Sequence, residues 1–341
     1  MQRRTTALTV ALGLALVLVS SAAMAQYQLT NLVSNQVGQA KHTDALLVNA
    51  WGLAYAPGSP FWISDEGSGW STLYDASGNK QGLQVTVPSA SGQGPGSPTG
   101  IVFNGSQDFQ IQGWSAIFIF ATLDGTISGW APQVNFNSTI IAVNNPGAVY
   151  TGLAVTSNAS GNMLFAADNA NNKVDMYDAN FNWVGSFTDS TVPMGFAPFG
   201  IQDIAGLVYV TFASQSGGSG GFVDIYSENG TFLKQLIHGS PLNQPWGIAV
   251  APKNFGTLSN TLLVTNNINK SGKIHGFNAV TGQSVGAVKD TNGKDITIDQ
   301  LWGIAFGGGG GGQDGATNTL FFSAGPSNNL AGTFGKITVA K

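Results

Sequence analysis

Six short strands in this chain begin with the same phrase: an aromatic residue or Thr, then Gly, then an aliphatic residue. The copies are Trp51-Gly52-Leu53, Thr99-Gly100-Ile101, Thr151-Gly152-Leu153, Phe199-Gly200-Ile201, Trp246-Gly247-Ile248 and Trp302-Gly303-Ile304. Their glycines lie 48, 52, 48, 47 and 56 residues apart. A near-fixed period of this length marks a repeat architecture. The repeated Gly has a structural reading, since an innermost strand crowds a central axis and Gly lets backbones approach closely.

Each unit continues alike. A turn rich in Gly, Pro, Asn or Ser leads into a β-prone run: Phe61–Ser64, Ile117–Thr122, Met163–Ala167, Leu207–Phe212, Thr261–Thr265 and Thr319–Ser323. A polar hairpin turn follows, such as Asp168-Asn169-Ala170-Asn171-Asn172, and then an alternating third run such as Val174–Tyr177 or Phe222–Tyr226. Alternation of period two bounded by turn residues is the strand signal. Fourth strands are expected at Phe181–Phe187 and Phe232–Ile237. Four antiparallel strands per unit, six times over, predict an all-β, six-bladed β-propeller. A solenoid would need terminal caps. Here unit six stops at a third strand, Gly335–Val339, while a spare strand, Tyr27–Ser34, precedes unit one. The N-terminal strand is expected to complete blade six and close the ring, which covers an exposed edge.

The first residues stand apart from that pattern. Arg3 and Arg4, an apolar run from Ala7 to Val19, and Ala23-Met24-Ala25 read as a secretory signal peptide over 1–25, cut before Gln26. The apolar run is short for a bilayer span of about 20 residues. Cleavage leaves a single propeller domain over 26–341, 316 residues with a net charge near −6 and no stable membrane span. Nucleic acid is an unsuitable partner for such a chain, because its phosphates call for Lys and Arg. There is no Cys, so disulfides and thiolate chemistry are excluded.

Gln244-Pro245-Trp246-Gly247-Ile248-Ala249-Val250, Leu164-Phe165-Ala166-Ala167-Asp168 and Lys173-Val174-Asp175-Met176-Tyr177-Asp178 resemble the inner strands of NHL-type propeller repeats. From Tyr27 onward the chain resembles a bacterial family of secreted six-bladed propellers. The resembling segments include Asp44–Leu53, Phe61–Asp65 and Asp124–Trp130. The resemblance implies the fold and a secreted or periplasmic location, and it implies no activity. Many members carry a C-terminal Pro-Glu-Pro sorting motif. Ile337–Lys341 has none, so a free protein, expected to be a monomer, is favoured.

Two residue sets are expected on one axial rim, where first strands start and second strands end. The leaders Trp51, Thr99, Phe199, Trp246 and Trp302, with Thr151, offer a stacking surface for a flat ligand or else a plug of the channel. The turn residues Asp65, Asp168 and Asn266 offer oxygens for Ca²⁺, or else the turn chemistry that Asp and Asn favour. His42, His238 and His275 form no metal doublet. Gly217–Gly221 and Gly307–Gly312 are not phosphate loops, since neither precedes a helix. The leading expectation is a binding module for a glycan, peptide or protein. A Ca²⁺-dependent hydrolase, lactonase or lyase on the same face, and a purely structural envelope protein, are the alternatives.

Overall fold

The computed structural model describes residues 26–340 except Ser160 and Gly311. The expected signal peptide lies outside the described residues. Six antiparallel sheets form the blades. Blade one comprises Ala50–Ala54, Phe61–Asp65, Trp70–Tyr74 and Lys80–Thr86. Blade two comprises Pro98–Phe103, Phe118–Thr122, Thr126–Trp130 and Ile140–Asn144. Blade three comprises Tyr150–Asn158, Gly161–Asp168, Lys173–Tyr177 and Trp183–Phe187. Blade four comprises Phe196–Ile204, Leu207–Ser214, Phe222–Ser227 and Phe232–His238. Blade five comprises Pro245–Val250, Leu262–Asn266, Lys273–Phe277 and Ser284–Ala287.

Blade six takes Leu301–Phe306, Leu320–Ala324 and Thr333–Val339 from the C-terminal end and its fourth strand, Tyr27–Ser34, from the N-terminal end. Tyr27 pairs with Val339 and Ser34 with Thr333, antiparallel. His42–Thr43 adds a short parallel edge beyond it. The Tyr27 hydroxyl donates to the Phe255 carbonyl at 2.9 Å and accepts from Leu258 N–H at 3.0 Å, so the closing strand is also tied to blade five. Blade three's outer strand begins at Trp183, two residues later than expected. Phe181 sits in a positive-φ turn (62°) and buries its ring against Phe109 instead. Among the described residues no helix is long and apolar enough to cross a membrane.

The repeated phrase is a bulge. In all six blades the pairing of first and second strands slips at the leader, and in every blade but the third the slip takes in its Gly as well, for example between Pro245 and Ile248. A bulge leaves a residue outside the ladder and bends the strand. In blades four, five and six the freed Gly N–H finds a second-strand hydroxyl: Thr211 at 2.8 Å, Thr265 at 2.7 Å and Ser323 at 3.0 Å. Thr265 and Ser323 each donate onward to the leader carbonyl of the next blade, Trp302 and Trp51. Between blades two and three the Thr99 hydroxyl does this work, donating to the Tyr150 carbonyl at 2.6 Å.

Glycine is required because the next blade's backbone occupies the space of a side chain. A Cβ on Gly247 would lie 2.6 Å from the Trp302 carbonyl oxygen, and one on Gly303 would lie 3.0 Å from that of Trp51. Gly52, Gly100 and Gly200 press still closer on Thr99, Leu153 and Trp246. The contact passes from each blade to the next and returns from six to one.

Between every two blades lies a separate apolar core. The second strands feed two cores each: Phe61 and Ile63 face blade six, Trp62 faces blade two. Polar groups also enter these seams. The third strands of blades one, three and four carry Tyr74, Tyr177 and Tyr226 at one equivalent position. Tyr74 donates to Asp44 at 2.6 Å, and Asp44 pairs with Lys80 at 2.7 Å. Tyr150, bonded to Tyr177 at 2.6 Å, donates to Asp175, which Lys173 neutralises at 2.7 Å.

Tyr226 donates to Asp189, which takes part in none of the ion pairs among the described residues. Burial opposes charge on Asp189, but bonds from Thr191 and Tyr226 outweigh it and hold its carboxyl below the usual range. The neighbouring Asp224 is fully buried and neither of its oxygens receives a hydrogen bond. Burial, and then Asp189, push its pKa up to about 8. Beside the Asp189 carboxylate, burial therefore favours the protonated form of Asp224.

Two outcomes follow from these packings. Gly247→Ala forces a methyl group onto a backbone carbonyl that cannot rotate away, and should cost about 1–3 kcal/mol or more in urea unfolding. An Asp with a raised folded pKa stabilises fully below its unfolded pKa of about 3.9 and loses that contribution as pH rises. Asp224 therefore weakens the fold progressively from about pH 4 to about pH 8. Asp224→Asn keeps the donor without the charge. It should match the parent near pH 4 and exceed its stability above pH 8, and parallel stability curves for the two proteins would refute the raised pKa of Asp224.

Candidate functional site

The inner strands lie side by side around the axis, with blade six against blade one, so equivalent positions stack as rings. The first ring is the leaders. Trp51 and Trp302 stack face to face, centroids 3.6 Å apart and planes 17° apart. Trp246 meets both edge-on at 6.4 and 6.1 Å, and Phe199 meets both at 6.4 and 5.7 Å. Trp246 Nε1 reaches across the axis to the Thr151 carbonyl at 2.9 Å, and Trp302 Nε1 reaches Asn49 Oδ1 at 2.9 Å. Three indoles and a phenyl fill the mouth, and the Thr leaders of blades two and three leave them room. Trp51 and Trp302 are 5% and 3% exposed, Thr99 is fully buried, and only Phe199 and Trp246 are half-buried. Of the stacking surface and the plug, the geometry is that of the plug. Thr99 is a tie between blades, since its hydroxyl is committed to a carbonyl.

The turn residues likewise act on their own neighbourhoods. Asp168 accepts from Val149 N–H at 3.1 Å, Asn171 N–H at 3.3 Å and the Asn171 amide at 2.7 Å. Asn266 accepts from Asn243 N–H at 3.0 Å and donates to the Pro241 carbonyl at 2.7 Å. Both fasten the segment that enters their own inner strand. Asn169 and Asn267, beside them, donate to Pro198 and Leu301 at the start of the next blade's inner strand. Asp65 is fully buried with no partner on either oxygen, and burial pushes its pKa well up. With Asp168 and Asn266 spent on these bonds, the three residues do not offer the set of free oxygens that Ca²⁺ takes. Among the described residues no three His, Asp or Glu side chains converge on a metal position.

The open volume lies at the other end of the axis. Below the glycines come Leu53, Ile101, Leu153, Ile201, Ile248 and Ile304, bounding a narrow space of about 30 Å³. The strand ends then splay into a funnel of about 380 Å³. Tyr55, Phe103, Val155, Ile204, Val250 and Phe306 line it, one from each blade. Gln202 is the exposed polar side chain on this wall. The sequence reading placed its candidate residues on the leader face and did not anticipate the funnel. The available signal was the residue two or three places after each Gly-aliphatic pair, which is apolar and, Val155 excepted, stands at or just past a strand end.

No family model matches the chain. It is 30% identical over 338 residues to Uncharacterized protein R648 of Acanthamoeba polyphaga mimivirus, across 92% of this chain and 81% of the viral one. The chain belongs to the R648 family. Uncharacterized protein L690 of the same virus is 26% identical over 306 residues, covering 83% of this chain and 79% of that protein. These relatives are viral, so they lend no support to the bacterial origin that the resemblance implied. Among solved structures, virginiamycin B lyase from Staphylococcus aureus aligns with TM-score 0.54 at 14% identity, over 92% of this chain and 99% of that one. A gluconolactonase from Xanthomonas campestris aligns with TM-score 0.56 at 11% identity, over 86% and 88%. At such identities the likeness concerns the propeller fold.

The plug generates its own test. Trp302→Ala removes a buried ring from a four-ring cluster and should cost about 3–5 kcal/mol in urea unfolding. Unchanged stability would return the leaders to the role of a ligand surface.

Proposed function

We propose that this member of the R648 family is a binding module whose axial funnel takes an apolar segment of a peptide or protein. The observation that carries the reading is the funnel itself: about 380 Å³, open to solvent, walled by apolar side chains from all six blades. Ligand pockets run from roughly 300 to 1,000 Å³ and are mostly apolar with a few orienting polar groups. Beyond strand-end backbone groups, this wall offers Gln202 and Tyr55 as its polar side chains, and a glycan would call for a denser side-chain set of donors and acceptors. The Tyr55 hydroxyl is already committed to the Phe306 carbonyl at 2.8 Å. The connections around the rim are unequal. Blades two, five and six carry long ones, at 104–117, 251–261 and 307–319, whereas blades three and four carry two residues each. Access is therefore least obstructed over blades three and four. A hydrolase or lyase activity has behind it only the fold shared with two enzymes, and this fold hosts many chemistries.

The test uses N-pentyl dansylamide, a neutral apolar fluorophore. It should bind with blue-shifted, enhanced emission. Ala305→Phe, at a half-buried wall position, should weaken binding at least roughly tenfold, about 1.4 kcal/mol, with the melting temperature unchanged. Absence of binding, or equal binding to both proteins, would refute the funnel as the site.

A further inference from the structure

The funnel wall is not uniform around the axis. Its three aromatic side chains, Tyr55, Phe103 and Phe306, come from blades one, two and six, which are consecutive in the ring. Their counterparts on blades three, four and five are Val155, Ile204 and Val250. One half of the mouth is therefore aromatic and the other aliphatic. Each of the three rings is half-buried and packs against a buried phenyl. Tyr55 meets Phe61 edge-on at 5.0 Å, Phe306 meets Phe255 edge-on at 4.9 Å, and Phe103 meets Phe118 tilted at 5.7 Å. The bond from the Tyr55 hydroxyl to the Phe306 carbonyl ties blade one to blade six on this half. Rings fixed in this way are already in place to receive a ligand, which keeps the cost of binding down.

Gln202 interrupts the aliphatic half. In a ring of six, blade four stands opposite blade one, so Gln202 lies across the axis from the centre of the aromatic half. Its side-chain N–H donates to the Asp203 carbonyl at 3.3 Å. Its side-chain oxygen, on an exposed residue, receives no hydrogen bond among the described residues. An apolar wall with one such acceptor orients a ligand that carries one donor. The neck beneath, about 30 Å³ between aliphatic side chains, is too small for a ring. A planar group therefore has its place in the mouth, between the aromatic half and Gln202.

We infer that the apolar group taken by the funnel is an indole, the side chain of a Trp in a peptide or protein. The inference rests on the funnel being the binding site and adds the identity of the group that enters it. An indole brings a broad flat face and a single donor, its ring N–H, with no acceptor. Its face packs on the rings of blades one, two and six in the offset or edge-on arrangements that aromatic pairs prefer. Its N–H then donates to the Gln202 oxygen. A branched aliphatic side chain gains neither interaction. Aromatic walls also take quaternary ammonium groups, but by enclosing the cation. Here the rings stand on one half only, and no charged side chain lines the funnel among the described residues.

The experiment displaces bound N-pentyl dansylamide with small amides. N-acetyl-tryptophanamide should do so at a concentration roughly tenfold below that of N-acetyl-leucinamide. Its 1-methyl derivative lacks the ring N–H and should be weaker by roughly threefold, the scale of one hydrogen bond. Gln202→Leu should erase the difference between the two indoles. Phe103→Leu should lower the Trp-to-Leu ratio by roughly threefold, with the melting temperature within a few degrees of the parent. If the probe binds but the Trp and Leu amides displace it equally, the indole assignment fails and the funnel stands. If methylation still weakens the indole to the same degree in Gln202→Leu, Gln202 is not the acceptor and the proposed orientation falls. Stronger displacement by N-acetyl-tyrosinamide or by choline would overturn the indole in favour of a phenol or a cation. If the probe itself does not bind, the funnel reading fails first and this inference with it.

Discussion

The approach of each inner strand to its neighbour at a glycine is the contact on which the ring depends. Six blades can meet around one axis only if their innermost backbones nearly touch, and a Cβ at these positions would sit inside the next blade's carbonyl or amide. The bulge supplies the bend and Gly supplies the room. The cost is a freed N–H in each blade, and in blades four to six it is met by Thr211, Thr265 and Ser323. The last two also hold the next blade's leader carbonyl, so the group that repairs the bulge is the one that joins the blades. Closure through Tyr27–Ser34 then makes the chain of contacts circular, and no sheet is left to stack outward.

That ring divides the axis into unequal ends. Above the glycines the leaders converge, and the only way to exclude water from so narrow a mouth is to fill it. Six indoles would not fit, so three Trp and one Phe stand opposite two Thr. The departure from sixfold symmetry is thus a packing solution. Below the glycines the strands splay, successive rings widen, and apolar side chains that no longer meet across the axis leave a funnel. The same six strands produce both ends. Which end is open follows from where the bulky residues stand relative to the Gly.

Much of the fold was legible because its determinants are local. The glycine period, the alternating third strands and the spare strand Tyr27–Ser34 each follow from backbone geometry and from edges that must be covered. The site was not legible for the opposite reason. Whether Trp246 faces solvent or reaches the Thr151 carbonyl depends on what the other five leaders are. Asp168 and Asn266 look like cation ligands in the chain and are turn fasteners in space, since the N–H groups they accept from belong to segments 19 and 23 residues earlier.

The distribution of acids makes the same point. Only 9% of this chain is charged, so an acid out of contact with bulk water needs a specific reason. In the seams between blades part of that reason is visible: Asp44 and Asp175 have lysines and tyrosines, and burial beside Asp189 raises the pKa of Asp224. Asp65 has neither: it is fully buried with no partner on either oxygen, and burial pushes its pKa well up. A carboxyl buried between blades and left bare would only weaken the fold.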